Sequence, residues 1–183
     1  METTNKKFIF LDRDGVINED LFDYVKSPLE FKFIKGSLEA IIKLSKSGFQ
    51  IIIVTNQACI GSGIATTQDI ENVHKFMEDT VIKKGGKINR FMVCPHDKNE
   101  GCKCRKPEIG LLIEAEKQIG VNLRGVFFIG DKESDVIAAL DFECVPLLVK
   151  TGYGSKTLES ENLPKYIKVF RNLSDAVDYV LSL

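Results

Sequence analysis

Residues 8–20, FIFLDRDGVINED, constrain the chain more than any other stretch. Phe8-Ile9-Phe10-Leu11 is a continuous run of aromatic and aliphatic residues, bracketed by Lys6-Lys7 and by Asp12-Arg13-Asp14. Such a run reads as a strand buried on both faces of a parallel sheet. Its polar end then lies at the C-terminal edge, where open α/β folds take their ligands. Gly15 lets the chain turn away at once and leaves Asp12 and Asp14 facing one point. An Asp-x-Asp pair alone is equally the solvated end of an ordinary strand. Three later stretches supply the other parts of a phosphate-transfer site.

Further strands are expected over 50–56 (QIIIVTN), 91–94, 125–130 and 145–149. Helical spacing of apolar residues falls over 36–46, from Thr66 or Thr67 to about Lys84, and over 109–119, 133–140 and 173–181. Residues 21–35 read as a loop beside the site, with Phe31 and Phe33 in a short extended piece. Gly61 and Gly63 mark a tight loop. Strands alternating with helices imply an α/β fold: a Rossmann-like parallel sheet covered by helices on both faces. Residues 1–183 are read as one domain without a separate cap domain, so the chemistry sits in an open cleft shaped by loops.

A hydrophobic content of 44% and a formal charge of −1 describe a folded globular protein. They argue against a generally basic nucleic-acid binder. METTNKK lacks the apolar segment of a signal peptide, and no window is apolar enough to span a bilayer. A cytoplasmic monomer acting on a small metabolite, without nucleic-acid or membrane partners, is the expectation.

At the strand ends stand Asp12 and Asp14, then Thr55-Asn56, then Gly130-Asp131-Lys132, with Asp135 one helical turn on. Lys106 precedes the fourth helix. A hydroxyl, an amide, a lysine and several carboxylates on one edge suit a phosphate held beside a hard cation. Carboxylates alone would repel a phosphate dianion, and Mg²⁺ on oxygen ligands removes that repulsion. One aspartate then attacks phosphorus and the other protonates the leaving oxygen.

A second cluster is Cys94-Pro-His96, five residues, then Cys102-Lys-Cys104. Four soft or borderline ligands within eleven residues suit a closed tetrahedral Zn²⁺ site. With no protein ligand missing, that zinc is structural, and it positions Arg105 and Lys106 directly after it. His74 reads as a surface or partly packed helix residue. Cys59 and Cys144 read as small apolar residues.

DRDGVIN, VTNQ, RKP and GDKESD, in this order and each at a strand end or helix start, resemble the haloacid dehalogenase-like phosphatases. The resemblance implies Asp12 as nucleophile, forming an aspartyl-phosphate, and Asp14 as general acid and then base. It implies Thr55 and Asn56 as phosphoryl-group ligands and Lys106 as the neutralising cation. It gives Asp12, Asp131 and the Asp14 carbonyl to Mg²⁺, with Lys132 and Asp135 in support.

A zinc loop ahead of RKP with no cap is similar to the subgroup holding the heptose bisphosphate phosphatases and the histidinol-phosphate phosphatase domains. DRDGVINED, DYV, FKFIKGSLEAI and VKTGYG favour the heptose branch. Ser62, in ACIGSG, stands where that branch commonly carries arginine. For a sugar bisphosphate, Arg105 is the candidate to grip the uncleaved phosphate, because a guanidinium binds phosphate bidentately. Asn18 and residues 23–26 are candidates to meet sugar hydroxyls. The alternatives are a histidinol-phosphate phosphatase, a polynucleotide end phosphatase and a non-catalytic zinc-knuckle binding module.

Overall fold

Strand β1 (Lys7–Leu11) is the hub of the fold, and the computed structural model describes residues 7–21 and 23–183 around it. After β1 come α1 (Ser37–Lys46), β2 (Phe49–Asn56), α2 (Ala58–Gly61), α3 (Thr67–Lys83) and β3 (Arg90–Cys94). Then follow α4 (Gly110–Ile119), β4 (Phe127–Gly130), α5 (Glu133–Asp141), β5 (Val145–Val149), α6 (Gly154–Thr157), β6 (Lys168–Phe170) and α7 (Leu173–Leu181). The sheet runs β3-β2-β1-β4-β5-β6, and every neighbouring pair is parallel. The order reverses direction at β1, which places a crevice beyond the C-terminal end of that strand.

Period-two alternation divides the core between the two faces. Ile9 and Leu11 join Ile51, Ile53, Ile129 and Val149 under α1, α3 and α7. Phe8 and Phe10 join Ile52, Val54 and Phe128 under α4 and α5. Ile9, Phe10 and Leu11 are all 0% exposed. Full burial of such side chains stabilises by about 1.5–3 kcal/mol each, which fixes the register and therefore the height at which Asp12 emerges.

Local signals set several helix ends. Thr66 Oγ1 accepts from Asp69 N at 3.1 Å and Asp69 Oδ2 accepts from Thr66 N at 2.8 Å, a capping box that starts α3. Asn172 Oδ1 accepts from Asp175 N at 3.0 Å and starts α7.

The sheet and the long helices match the expectation. Helices α2 and α6 and strand β6 depart from it: four, four and three residues are too short for a period to register. Of the expected extended piece only Phe33 pairs, bridging to Asn18, while Phe31 packs against it with ring centroids 4.9 Å apart. Among the described residues, no helix is long and apolar enough to cross a membrane.

Candidate active site

The C-terminal ends of β1, β2 and β4 and the loop after β3 meet at one buried point. Asp12 N donates to Ile129 O at 2.9 Å, carrying the ladder one residue past β1 and pinning Asp12 beside β4. Lys106 reaches in from the cysteine loop. Its ammonium donates to Asp12 Oδ1 at 2.8 Å and to Val54 O at 2.6 Å, and stands 2.6 Å from Asp135 Oδ1. Burial pushes the Asp12 carboxyl up to about 6 against the pull of Lys106. Burial also opposes the charge on Lys106, but Asp12 and Asp135 outweigh it and raise the lysine.

The Asn56 side chain is engaged by the Lys106 backbone. Its Oδ1 accepts from Lys106 N and its Nδ2 donates to Lys106 O, both at 3.0 Å. Both ends of the amide hold the Lys106 backbone, so this side chain helps to place the lysine. Thr55 is buried, and its Oγ1 accepts from Gln57 Nε2 at 2.8 Å.

Asp14 is the more exposed of the two β1 carboxylates, with 18% of its side chain open. Three side chains grip it. Arg13 donates from Nη2 at 2.9 Å and from Nε at 3.2 Å, Asn18 from Nδ2 at 2.9 Å, and Gln57 from Nε2 at 2.8 Å. Burial works against this carboxylate, yet Arg13, Asn18 and Gln57 together hold it below its ordinary range. Asn18 is 0% exposed, which corrects its assignment to sugar hydroxyls: its amide serves Asp14. His74 is also corrected, being 7% exposed and stacked on Phe91. Sequence reasoning missed Arg13 and Gln57, although both lie inside the DRD and TNQ motifs.

Asp131 is fully buried, and burial drives its carboxyl well above the ordinary value. Its Oδ2 accepts from Tyr153 N at 2.7 Å, while Oδ1 has no hydrogen-bond partner among the described residues. A Cβ on Gly15 or on Gly152 would come within 2.2 Å of Oδ2, so only glycines let both loops close over it. Asp12, Asp131 and Asp135 bring carboxylate oxygens within 4.8 Å of one another, a hard donor set that suits a divalent cation. Asp135 Oδ2 accepts from Asp131 N at 3.2 Å and Lys132 N at 3.0 Å, and Oδ1 faces Lys106. Both Asp135 oxygens are thus engaged within the cluster. Lys132 donates to Asp20 at 3.0 Å and lies 4.8 Å from the Tyr153 ring centroid.

Cys94, His96, Cys102 and Cys104 converge as their spacing requires. Their sulfurs lie 3.3–3.6 Å apart, and His96 Nδ1 lies 3.1 Å from Cys104 Sγ and 3.6 Å from Cys94 Sγ. A tetrahedron with Zn–S bonds of about 2.3 Å has edges of about 3.8 Å, so the four ligands sit close to zinc geometry. Arg105 and Lys106 leave this cluster directly into a cleft of about 790 Å³. That volume lies in the range of small-molecule sites. Asp14, Lys98, Lys132, Tyr153 and Lys156 also line it. Arg105 Nη1 is buried without a hydrogen-bond partner among the described residues. Ser62 instead donates to Ala58 O at 2.9 Å on an exposed turn.

A HAD-hydrolase-like family model matches residues 103–176. The D-glycero-beta-D-manno-heptose-1,7-bisphosphate 7-phosphatase of Pseudomonas aeruginosa is 38% identical over 177 residues, covering 97% of this chain and 99% of that one. The protein of the same name from Helicobacter pylori strain J99 is 35% identical over 98% of this chain and 99% of its own. A crystal structure of D,D-heptose 1.7-bisphosphate phosphatase from B. bronchiseptica, complexed with magnesium and phosphate, superposes with a TM-score of 0.92 at 36% identity. It covers 96% of this chain and 98% of that one. Similarity of this extent leaves no room for a non-catalytic binding module: the chain belongs to the haloacid dehalogenase-like hydrolases and is a phosphoric monoester hydrolase.

Proposed function

We propose that this protein removes the 7-phosphate of a D-glycero-D-manno-heptose 1,7-bisphosphate through an aspartyl-phosphate on Asp12. One observation carries the reading: near-full-length similarity to phosphatases of that name, with Asp12 paired to Lys106 and the lysine, beside Arg105, lining an open cleft. The cleft offers Arg105, whose orphaned buried Nη1 suits a phosphate that is held without being cleaved. A histidinol-phosphate phosphatase has no second phosphate to fill that place. The alcohol released would retain its anomeric phosphate and feed a nucleotidyl-type activation of the sugar.

Asp12 attacks phosphorus, and Lys106 offsets the charge that gathers on Asp12 and the transferred group. Thr55 stands at the end of β2 to meet a phosphoryl oxygen. Asp14 gives a proton to the leaving oxygen and later takes one from the water that cleaves the aspartyl-phosphate. The donors around Asp14 favour its carboxylate, which suits the second role. An incoming phosphate dianion raises the Asp14 pKa and suits the first. Asp12, Asp131 and the Asp14 carbonyl would hold Mg²⁺, which when bound neutralises phosphate charge and lets the carboxylates stay ionised. The cysteine–histidine cluster would hold one Zn²⁺ and fix the loop that carries Arg105 and Lys106.

Asp12→Asn tests the chemistry, since an amide oxygen does not replace an attacking carboxylate. Turnover of any phosphate monoester should fall by at least about a thousandfold with the fold intact. Retention of a tenth of the wild-type kcat would refute Asp12 as nucleophile.

A further inference from the structure

Arg13 carries a full charge at 0% exposure and ranks among the largest fully buried side chains. A buried guanidinium must have its N–H groups satisfied, because a charge in a low-dielectric interior costs several kcal/mol when unpaired. Nε and Nη2 face Asp14, which leaves the other fork. Nη1 lies 3.1 Å from His74 Nε2, across 61 residues of sequence. A guanidinium only donates, so Nε2 must accept, and His74 is therefore a neutral ring with its proton on Nδ1. Burial and the Arg13 charge both hold the imidazole down to about 3, which keeps that acceptor available throughout the working pH range. The ring cannot swing away: it stacks on Phe91 with centroids 4.6 Å apart and planes 16° from parallel.

We infer that His74 is a positioning residue for the reaction: by accepting from Arg13 Nη1 it fixes the guanidinium that orients the Asp14 carboxylate. The chain of contact runs from α3 through Arg13 to the proton-transfer group, and His74 itself touches no substrate. The inference rests on the reading of Asp14 as acid and base given above. Asn18 and Gln57 hold Asp14 from its other sides, so loss of His74 loosens the carboxylate without freeing it. The expected defect is confined to steps that need a well-aimed proton.

The test is the ratio of kcat on an alkyl phosphate to kcat on an aryl phosphate, for wild type, His74→Phe, His74→Gln and Asp14→Asn. Poor alkoxide leaving groups need protonation and good aryloxide ones do not. The ratio is read on the folded fraction alone, so partial unfolding does not mimic the effect; His74→Leu replaces Phe if that variant is insoluble. Phe keeps the stack on Phe91 and removes the acceptor, whereas Gln offers an amide oxygen to Nη1. His74→Phe should lower the ratio about tenfold with KM little changed, and His74→Gln should restore most of it. An unchanged ratio in His74→Phe, or an equal fall in His74→Gln, overturns the inference while Asp14→Asn still shows the defect. If Asp14→Asn leaves the ratio unchanged, the reading of Asp14 itself fails.

Discussion

Lys106 Nζ stands 2.8 Å from Asp12 Oδ1, with 2% and 6% of the two side chains exposed, although the residues are 94 apart in sequence. The lysine also faces Asp135, so one ammonium separates two of the three carboxylates clustered at the strand ends.

Lys106→Met should therefore damage stability as well as turnover. Removing one partner of a buried pair leaves an uncompensated charge and costs about 3–5 kcal/mol. The folded pKa of Asp12, at about 6, lies above its ordinary 3.8. Its carboxyl thus favours the folded state at low pH and loses that contribution as pH rises through this window. Without Lys106 the Asp12 pKa should rise further. In metal-free protein the gap in unfolding free energy between wild type and Lys106→Met should be wider at pH 8 than at pH 5. Urea titrations at both pH values measure it; a gap that narrows at pH 8 would mean Asp12 is not the charge Lys106 compensates.

The zinc reading makes a prediction on composition. Freshly purified, reduced protein should contain about one Zn²⁺ per chain by elemental analysis, and Cys102→Ser should lose most of it together with several degrees of Tm. Activity should fall with it, because Arg105 and Lys106 follow Cys104 directly. Stoichiometric absence of metal from reduced wild-type protein would remove the zinc site.

Much of this was legible in the sequence for a physical reason. Residues 8–11 and 51–54 are buried on both faces of the sheet, so their identity as strands is written in unbroken apolar runs. The strand ends followed, and with them the positions of Asp12, Asp14 and Asp131. Four metal-type ligands within eleven residues left little freedom for the cysteine loop. What stayed hidden was the direction of side chains. Nothing in VTNQ says that Asn56 turns to the Lys106 backbone while Gln57 turns to Asp14. The burial of Asn18 was not legible either, because it depends on the bridge to Phe33 that folds the loop over it. His74 lies on the buried face of α3 beside Val73 and Met77, and only the fold brings Arg13 beneath it.

Arg105 tests the second phosphate. A charge-assisted bidentate pair in a partly desolvated cleft contributes on the order of 2–3 kcal/mol, or about a hundredfold in kcat/KM. Arg105→Ala should lose that factor on a heptose bisphosphate and much less on histidinol phosphate. Arg105→Lys should recover part of it, since lysine supplies charge without the fork. Matching fractional losses on both substrates, at one salt and Mg²⁺ concentration, would assign Arg105 to the reacting phosphate or to the loop.

The most direct measurement follows phosphorus itself. Wild-type protein is mixed with D-glycero-β-D-manno-heptose 1,7-bisphosphate and Mg²⁺, and the reaction is watched by ³¹P NMR beside an equal sample with histidinol phosphate. The 7-phosphate resonance should give way to inorganic phosphate while the anomeric phosphate persists, with kcat/KM at least about tenfold above that for histidinol phosphate, a difference of about 1.4 kcal/mol in transition-state binding. Loss of the anomeric phosphate first, or faster turnover of histidinol phosphate, would contradict the proposed function.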